Sequence, residues 1–333
     1  MANKHFGNIG DIWKHLPLAE VLALERPRIY WESHAGSASY ALASSAERAY
    51  GIFNLLERGG ESGAIAGSRF WRLLEGLRGE AARLACYPGS PLVAMEVLRG
   101  EAAYVFCDTD GESLATIRDS AASLSIGSDR LRCVDGDGVA ALLERAERLP
   151  RSDRADTLVF IDPFTIDWGG DAGPASGPSG GPAERPAPEG RPSPLNLFAR
   201  LAGLGVRALL WYGFDSAAQR RPPRAAIERL LAVCPALTTA QATAPWRAGL
   251  WCGEISLEAM EEADLGFNPG VRGCGLLAQG LSGRTLRAIE RLGRELARIY
   301  QGTVLPGGQS GALRFEVVRF GDAPGALRGQ AKR

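Results

Sequence analysis

The chain has 333 residues, 45% of them apolar, and 38 basic residues balance 38 acidic ones to a formal net charge of zero. That length fits one α/β domain with insertions as well as it fits two domains, and the apolar share is ample for a core. Zero net charge excludes a global field that would draw the protein to nucleic acid or membranes, so any nucleic-acid contact must come from a local patch. The N-terminus has no apolar signal core, and no apolar run approaches the ~20 residues of a membrane span. A cytoplasmic, reduced protein that does not enter membranes is therefore expected. The basic residues are almost all arginine, lysine occurring only at Lys4, Lys14 and Lys332. Cys86, Cys107, Cys133, Cys234, Cys252 and Cys274 form no CxxC pair, which argues against a zinc site, and no metal is expected.

Apolar positions Ile12, Leu16, Leu18, Val21, Leu22 and Leu24 recur at helical spacing over residues 11–25, with Asp11 as an early-turn acid. Arg28 to Glu32 reads as a buried strand. Residues 44–85 read as helical pieces, which interrupts the strand–helix rhythm and predicts an inserted helical subdomain at 44–86. Tyr87-Pro88-Gly89-Ser90-Pro91 ends the insertion, with Ser90 as N-cap and Pro91 at N1 of a helix running to about Leu98. Further strands are predicted at 102–107, 130–134 and 156–161, separated by helices at 112–124 and 138–149. Residues 169–196, dense in Gly, Pro, Ser and Ala, cannot bury enough surface to offset ordering entropy and are expected to be a disordered loop. A helix at 195–203, strands at 207–214, 249–257 and 273–281, helices at 224–233 and 284–300, and a strand at 313–320 complete the pattern. A polar tail, 321–333, follows. Strands alternating with helices predict an α/β, doubly wound, mostly parallel sheet, with residues 1–43 and 87–320 forming the main domain around the insertion.

Four stretches carry chemistry. Glu32-Ser33-His34-Ala35-Gly36-Ser37-Ala38-Ser39-Tyr40 runs from a strand into a small-residue turn, where backbone can approach a nucleotide-like cofactor. It falls short of a full GxGxxG, and a tight turn with no ligand is the competing reading. Asp108 ends the second main-sheet strand, where a carboxylate accepts ribose hydroxyls; Asp110 competes with it. Asp135 and Asp137 follow the third, where an acid can reach an adenine amine or simply build a turn. Asp162-Pro163-Phe164 ends the fourth strand. In amino-methyltransferases an acid and a proline carbonyl accept the target NH2 hydrogens, aiming the nitrogen lone pair at the methyl group, while an aromatic ring stacks the base. Together these stretches point to an S-adenosylmethionine (SAM) methyltransferase. Lys14 and His15 read either as a solvated helix face or as part of the site. Arg220-Arg221-Pro222-Pro223-Arg224 reads as a solvated loop able to touch phosphates.

At these residues the chain resembles the RlmJ family, which N6-methylates an adenine of 23S ribosomal RNA with SAM. The marks are Gly7-Asn8 with Asp11 and Lys14-His15, the Ser33-His34-Ala35-Gly36 turn with Tyr40, Tyr87-Pro88-Gly89-Ser90-Pro91-Leu92, and Leu209-Leu210-Trp211-Tyr212. They span about residues 5–300 outside the 169–196 loop. The resemblance implies a Rossmann-like class I methyltransferase fold with a helical insertion after the first strand. It implies SAM contacts from His15, His34, Gly36, Ser90 and Asp108, with Asp135 or Asp137 near the adenine ring. Asp162, Pro163 and Phe164 would act at the target amine with Lys14 beside them. The family's Asp-Pro-Pro-Tyr is here Asp162-Pro163-Phe164-Thr165, so Phe164 or Trp168 must supply any stacking face. The expected acceptor is rRNA and the protein a monomer. A small-molecule acceptor is the alternative, and a non-catalytic SAM- or RNA-binding protein of the same fold is the third reading.

Overall fold

A computed structural model describes residues 5–81, 83–166, 168, 192–238 and 249–320. Most of the 169–196 stretch and the whole 321–333 tail lie outside the described residues. The part of that stretch within them begins a helix at Pro194, capped by Ser193.

The strands are β1 (Ile29–Glu32), β2 (Ser39–Ala41), β3 (Cys86–Pro88), β4 (Ala103–Asp108), β5 (Leu131–Asp135), β6 (Thr157–Ile161), β7 (Arg207–Phe214), β8 (Trp251–Leu257), β9 (Gly273–Gln279) and β10 (Leu313–Val317). Eight of them form one sheet in the order β10-β8-β9-β7-β6-β1-β4-β5. Pairs β1–β4, β1–β6, β4–β5 and β6–β7 are parallel, whereas β9 runs antiparallel to both β7 and β8. The chain builds outward from β1 through β4 to β5, then crosses back to β6 and β7. The strand order therefore reverses between β1 and β6, and a doubly wound sheet opens its ligand crevice at the carboxyl ends of the strands at such a point. Strands β6, β8 and β9 are buried at every position, as sheets covered on both faces require.

Helices cover both faces: α1 (Ile9–Glu25), α2 (Ala46–Arg48), α3 (Asn54–Arg58), α4 (Gly63–Ala66), α5 (Arg69–Arg78), α6 (Ser90–Leu98), α7 (Gly111–Ser123), α8 (Gly138–Arg148), α9 (Arg151–Arg154), α10 (Pro194–Leu204), α11 (Ala217–Val233), α12 (Pro235–Thr238) and α13 (Gly283–Ile299). The predicted insertion contains α2 to α5, with a π-helical turn at Ala49–Phe53. It is closed by a feature the sequence pattern did not suggest: β2 and β3 pair antiparallel as a separate two-stranded sheet, Tyr40 opposite Tyr87. These strands are three residues each and mostly lack apolar alternation, so they leave little periodic signal.

Two local expectations are corrected. Gly89, not Ser90, is the N-cap of α6, and Ser90 is the first helical residue, which turns its hydroxyl inward to a buried carboxylate. Arg220 to Arg224 is not a loop: α11 begins at Ala217 under a Ser216 cap and carries Pro222 and Pro223 within it. Arg220 and Arg224 both pair with Glu254 of β8 and Glu316 of β10, so they are not free for phosphates. These ion pairs tie the helix to the sheet. Among the described residues no helix is long and apolar enough to cross a membrane.

Gly138 opens α8 where the backbone runs against the turn after β1. A Cβ there would meet the Ser33 carbonyl oxygen at 1.8 Å and Cys107 at 2.8 Å. Gly138→Ala should therefore destabilise the protein by about 1–3 kcal/mol, the scale of overpacking a tight interior. Urea denaturation of the variant checks this, with a lowered midpoint as the expected result.

Candidate active site

The site is assembled at the carboxyl ends of β1, β4, β5 and β6, and α1 joins it at the end of β6 through Lys14. α1 starts at Ile9 because the Asn8 side chain accepts the Asp11 N–H at 3.0 Å, an N-cap interaction. Helical spacing then puts Asp11 and Lys14 on one face, three residues apart. Lys14 Nζ lies 2.9 Å from Asp11 Oδ1 and donates to Asp162 Oδ2 at 2.8 Å, both side chains being largely buried. Its ammonium also lies 5.3 Å from the Trp211 ring centroid. Burial alone would lower the Lys14 pKa, but the two carboxylates overcome it and hold the amine raised and charged. Burial likewise pushes the Asp162 carboxyl up, and Lys14 draws it back.

One oxygen of Asp162 is thus held by Lys14, while Oδ1 has no partner among the described residues. A further polar atom of this cluster, Asp11 Oδ2, is buried without a hydrogen-bond partner among the described residues. Buried polar atoms ordinarily find partners, so this orphan fits a ligand that completes the site. Pro163 is buried and Phe164 is 46% exposed, its ring presented at the surface beside Asp162. Trp168, the other expected stacking ring, is 8% exposed and packs edge-on against Tyr212 at 5.4 Å, so it is committed to the core.

The cofactor-like turn follows β1. Gly36 has φ +63°, and its N–H donates to Asp108 Oδ2 at 2.7 Å. A Cβ at Gly36 would meet the Tyr40 hydroxyl at 2.6 Å, so both conformation and space require glycine there. That hydroxyl accepts the Ser37 N–H at 2.9 Å. Asp108 Oδ1 accepts the Asp110 N–H at 2.9 Å, and Asp110 caps α7 through Ser113. Each Asp108 oxygen retains a second lone pair, so the carboxylate can still accept from a diol. Asp135 stands opposite Asp108 in register and is exposed, whereas Asp137 caps α8 by accepting from Val139 and Ala140. His34 is half-buried, 2.7 Å from the Ser33 hydroxyl through Nδ1.

Not every expected residue joins this cluster. His15 is 3% exposed, its Nδ1 lies 2.8 Å from the Tyr87 hydroxyl, and it packs near Phe70 of the insertion. Burial, with Lys14 next to it, holds its pKa well below the usual histidine value. Ser90 donates to Glu32 Oε2 at 2.8 Å, and Tyr30 donates to Glu32 Oε1 at 2.7 Å.

Glu32 is the group that sequence reasoning passed over. It ends β1 at the strand-order reversal, is fully buried, and burial pushes its carboxyl up to about 8, against the pull of Tyr30 and Ser90. The available signal was an acid closing the strand Ile29-Tyr30-Trp31, where an apolar residue is the rule.

The strand order, the reversal at β1/β6 and the acids closing these strands define an α/β Rossmann-like fold of the class I methyltransferase kind. No family model and no curated protein matches the sequence. The fold is similar to that of protein LPL1258 from Legionella pneumophila, assigned to the family model DUF519. The TM-score is 0.64 at 17% identity, covering 96% of this chain and 99% of that one. A DUF574 family protein from Streptomyces avermitilis (TM-score 0.37, 14% identity, 81% and 82% coverage) is too distant to carry an argument. The same holds for a candidate caffeoyl-CoA O-methyltransferase from Staphylococcus aureus (TM-score 0.33, 8% identity, 80% and 83% coverage).

The raised Glu32 carboxyl has a consequence for stability. The native state holds a proton that the unfolded state releases near pH 4.5, so stability should decline as pH rises from about 4.5 to about 8 and level off above. Asp162, raised in the same direction, adds to the decline. Thermal melts of Glu32→Gln at pH 5 and pH 8.5 should show a smaller difference than those of the parent protein.

Proposed function

We propose that the chain is a SAM-dependent N-methyltransferase whose acceptor is an adenine N6 of large-subunit ribosomal RNA. The observation that carries the reading is Asp162, at the carboxyl end of β6 beside the strand-order reversal, with one oxygen fixed by Lys14 and the other open. SAM, when bound, supplies an electrophilic methyl group on sulfur. The cradle that fits it is the Gly36 turn, the spare lone pairs of Asp108, and the exposed Asp135 that faces Asp108 across β4 and β5. His34 at the turn, and His15 and Ser90 behind it, are the further positions the family resemblance assigns to the cofactor.

Asp162 Oδ1 accepts one hydrogen of the acceptor NH2 and so holds the nitrogen lone pair toward the methyl carbon. With SAM bound, the N–C bond would form as the S–C bond breaks with its electron pair kept on sulfur, and Asp162 or solvent would take the surplus amine proton. Burial favours the protonated form of Asp162, and Lys14 draws the carboxyl back toward the ionised acceptor. Phe164 is the ring free to stack on an unpaired base.

A second reading, methylation of a small amine, is favoured by one observation. Phe164-Thr165 stands where the resembled family has Pro-Tyr, which changes the backbone that would face the base. The experiment that separates them is methyl transfer from labelled SAM to protein-free 23S rRNA from cells lacking this gene, followed by nucleoside analysis. The proposal expects N6-methyladenosine. No incorporation by protein that binds SAM calorimetrically would reject the rRNA acceptor.

Within this assignment Asp162→Ala should abolish transfer while SAM affinity stays within a few-fold. Asp108→Ala should weaken SAM binding by ~1–3 kcal/mol, the scale of a lost charge-assisted hydrogen bond. The acid limb of the rate–pH profile reports Asp162. Lys14 lowers the pKa of Asp162, so Lys14→Met should move that limb to higher pH, and a limb that stays in place would reject the pairing as functional.

A further inference from the structure

Where α1 ends against α5 and α6, away from the reaction end of the sheet, the surface opens into a groove of about 430 Å3. Aliphatic side chains, Leu73 and Val97 among them, line it, and Arg26, Arg69, Arg72 and Arg99 stand around it, all four exposed. Two glutamates lie in the same groove and each engages one arginine: Glu96 with Arg99 at 2.5 Å, and Glu101 with Arg26 at 2.7 Å. Arg69 and Arg72 make no ion pair among the described residues. The Arg69 backbone N–H donates to the Glu20 carboxylate at 3.4 Å. Four arginines and two glutamates line the groove, with Glu20 beside the first turn of α5, so the lining carries an excess of guanidinium charge next to aliphatic side chains.

We propose that this groove binds a phosphodiester segment of single-stranded RNA, with phosphates on Arg69 and Arg72 and a base against the aliphatic floor. The guanidinium fork matches phosphate oxygens in a bidentate manner and holds its charge at any working pH. The volume lies within the ~300–1,000 Å3 of small-ligand pockets, and so suits a nucleotide unit. A duplex keeps its base faces stacked, so an apolar floor favours an unpaired strand. An acidic peptide would satisfy the guanidinium groups but would bring no flat apolar face with each charge.

Arg26 lies roughly 18 Å from Lys14 along α1, at 1.5 Å per residue. A strand held in the groove would therefore be anchored well away from the reacting base. This deepens the RNA reading and rests on it. It assigns where RNA remote from the target is gripped, and in a chain of zero net charge it supplies the local patch that RNA contact needs.

The test is fluorescence anisotropy of the full chain with a labelled 12-nucleotide single-stranded RNA, without SAM, titrated across salt concentrations. Arg69→Ala/Arg72→Ala should bind about ten-fold more weakly at ~0.1 M salt, and its log–log salt slope should fall in magnitude by about 1.4, the loss of two single-strand phosphate contacts. Glu96→Gln, which releases Arg99, should bind more tightly. Unchanged affinity and slope in the double variant, or no binding by the parent chain, would overturn the groove assignment. Displacement of the strand by poly-glutamate as readily as by unlabelled RNA would overturn it in favour of an acidic protein partner. Methyl transfer to rRNA is read separately. Its absence beside intact, groove-dependent RNA binding would reject the acceptor and leave the groove supported.

Discussion

The Lys14 ammonium, held between Asp11 and Asp162, is the interaction on which the rest of the site depends. It joins the first helix to the end of β6 at the point where the sheet reverses its strand order. Burying one carboxylate there would favour protonation, and burying two side by side would favour it more. One lysine between them makes the cluster affordable, and it does so asymmetrically. It occupies a single oxygen of each acid, which leaves Asp162 Oδ1 and Asp11 Oδ2 turned elsewhere. Breaking a buried pair by removing one partner costs about 3–5 kcal/mol, so this geometry resists drift toward any arrangement that leaves an acid alone.

Glu32 is managed by a different device a few residues away. Among the described residues no cation touches it, and two hydroxyls, Tyr30 and Ser90, donate to its two oxygens. Hydroxyl donors stabilise an ionised carboxylate less than an ammonium does, so burial prevails and the carboxyl is raised to about 8. The reaction end of the sheet thus holds two acids in contrasting environments, Asp162 paired with a charge and Glu32 hydrogen-bonded to neutral groups. Divergent environments of this kind let neighbouring carboxyls stay in different protonation states near neutral pH.

The sheet was legible in the sequence because its strands are buried on both faces and read as unbroken apolar runs, as in Leu158-Val159-Phe160-Ile161 and Ala208-Leu209-Leu210. Positions just past such runs are where a doubly wound fold puts its ligand groups, which is why Asp108, Asp135 and Asp162 could be singled out. Glu32 escaped because the predicted strand, Arg28 to Glu32, already contained it, whereas Asp108, Asp135 and Asp162 fell just past their predicted runs. The β2–β3 pair escaped because three-residue strands carry no period. Proline misled at α11: Pro222-Pro223 reads as a break, yet the Arg220 and Arg224 pairs with Glu254 and Glu316 hold the helix through it. That is tertiary electrostatics overriding local propensity, and no window of neighbouring residues contains it.

The same pairing explains how a chain of zero net charge can still present a positive surface. Arg207 is buried against Glu25 at 3.2 Å, and Arg220 and Arg224 are absorbed by Glu254 and Glu316. Arginines placed in this way hold elements together and project no field. What reaches solvent is set by the mismatch between each cation and its nearest acid, not by the total. Arg69 and Arg72, in the first turn of α5, make no ion pair among the described residues and stand beside the groove. Net charge therefore describes long-range steering for this chain, while recognition is decided by which arginines the fold leaves without a partner.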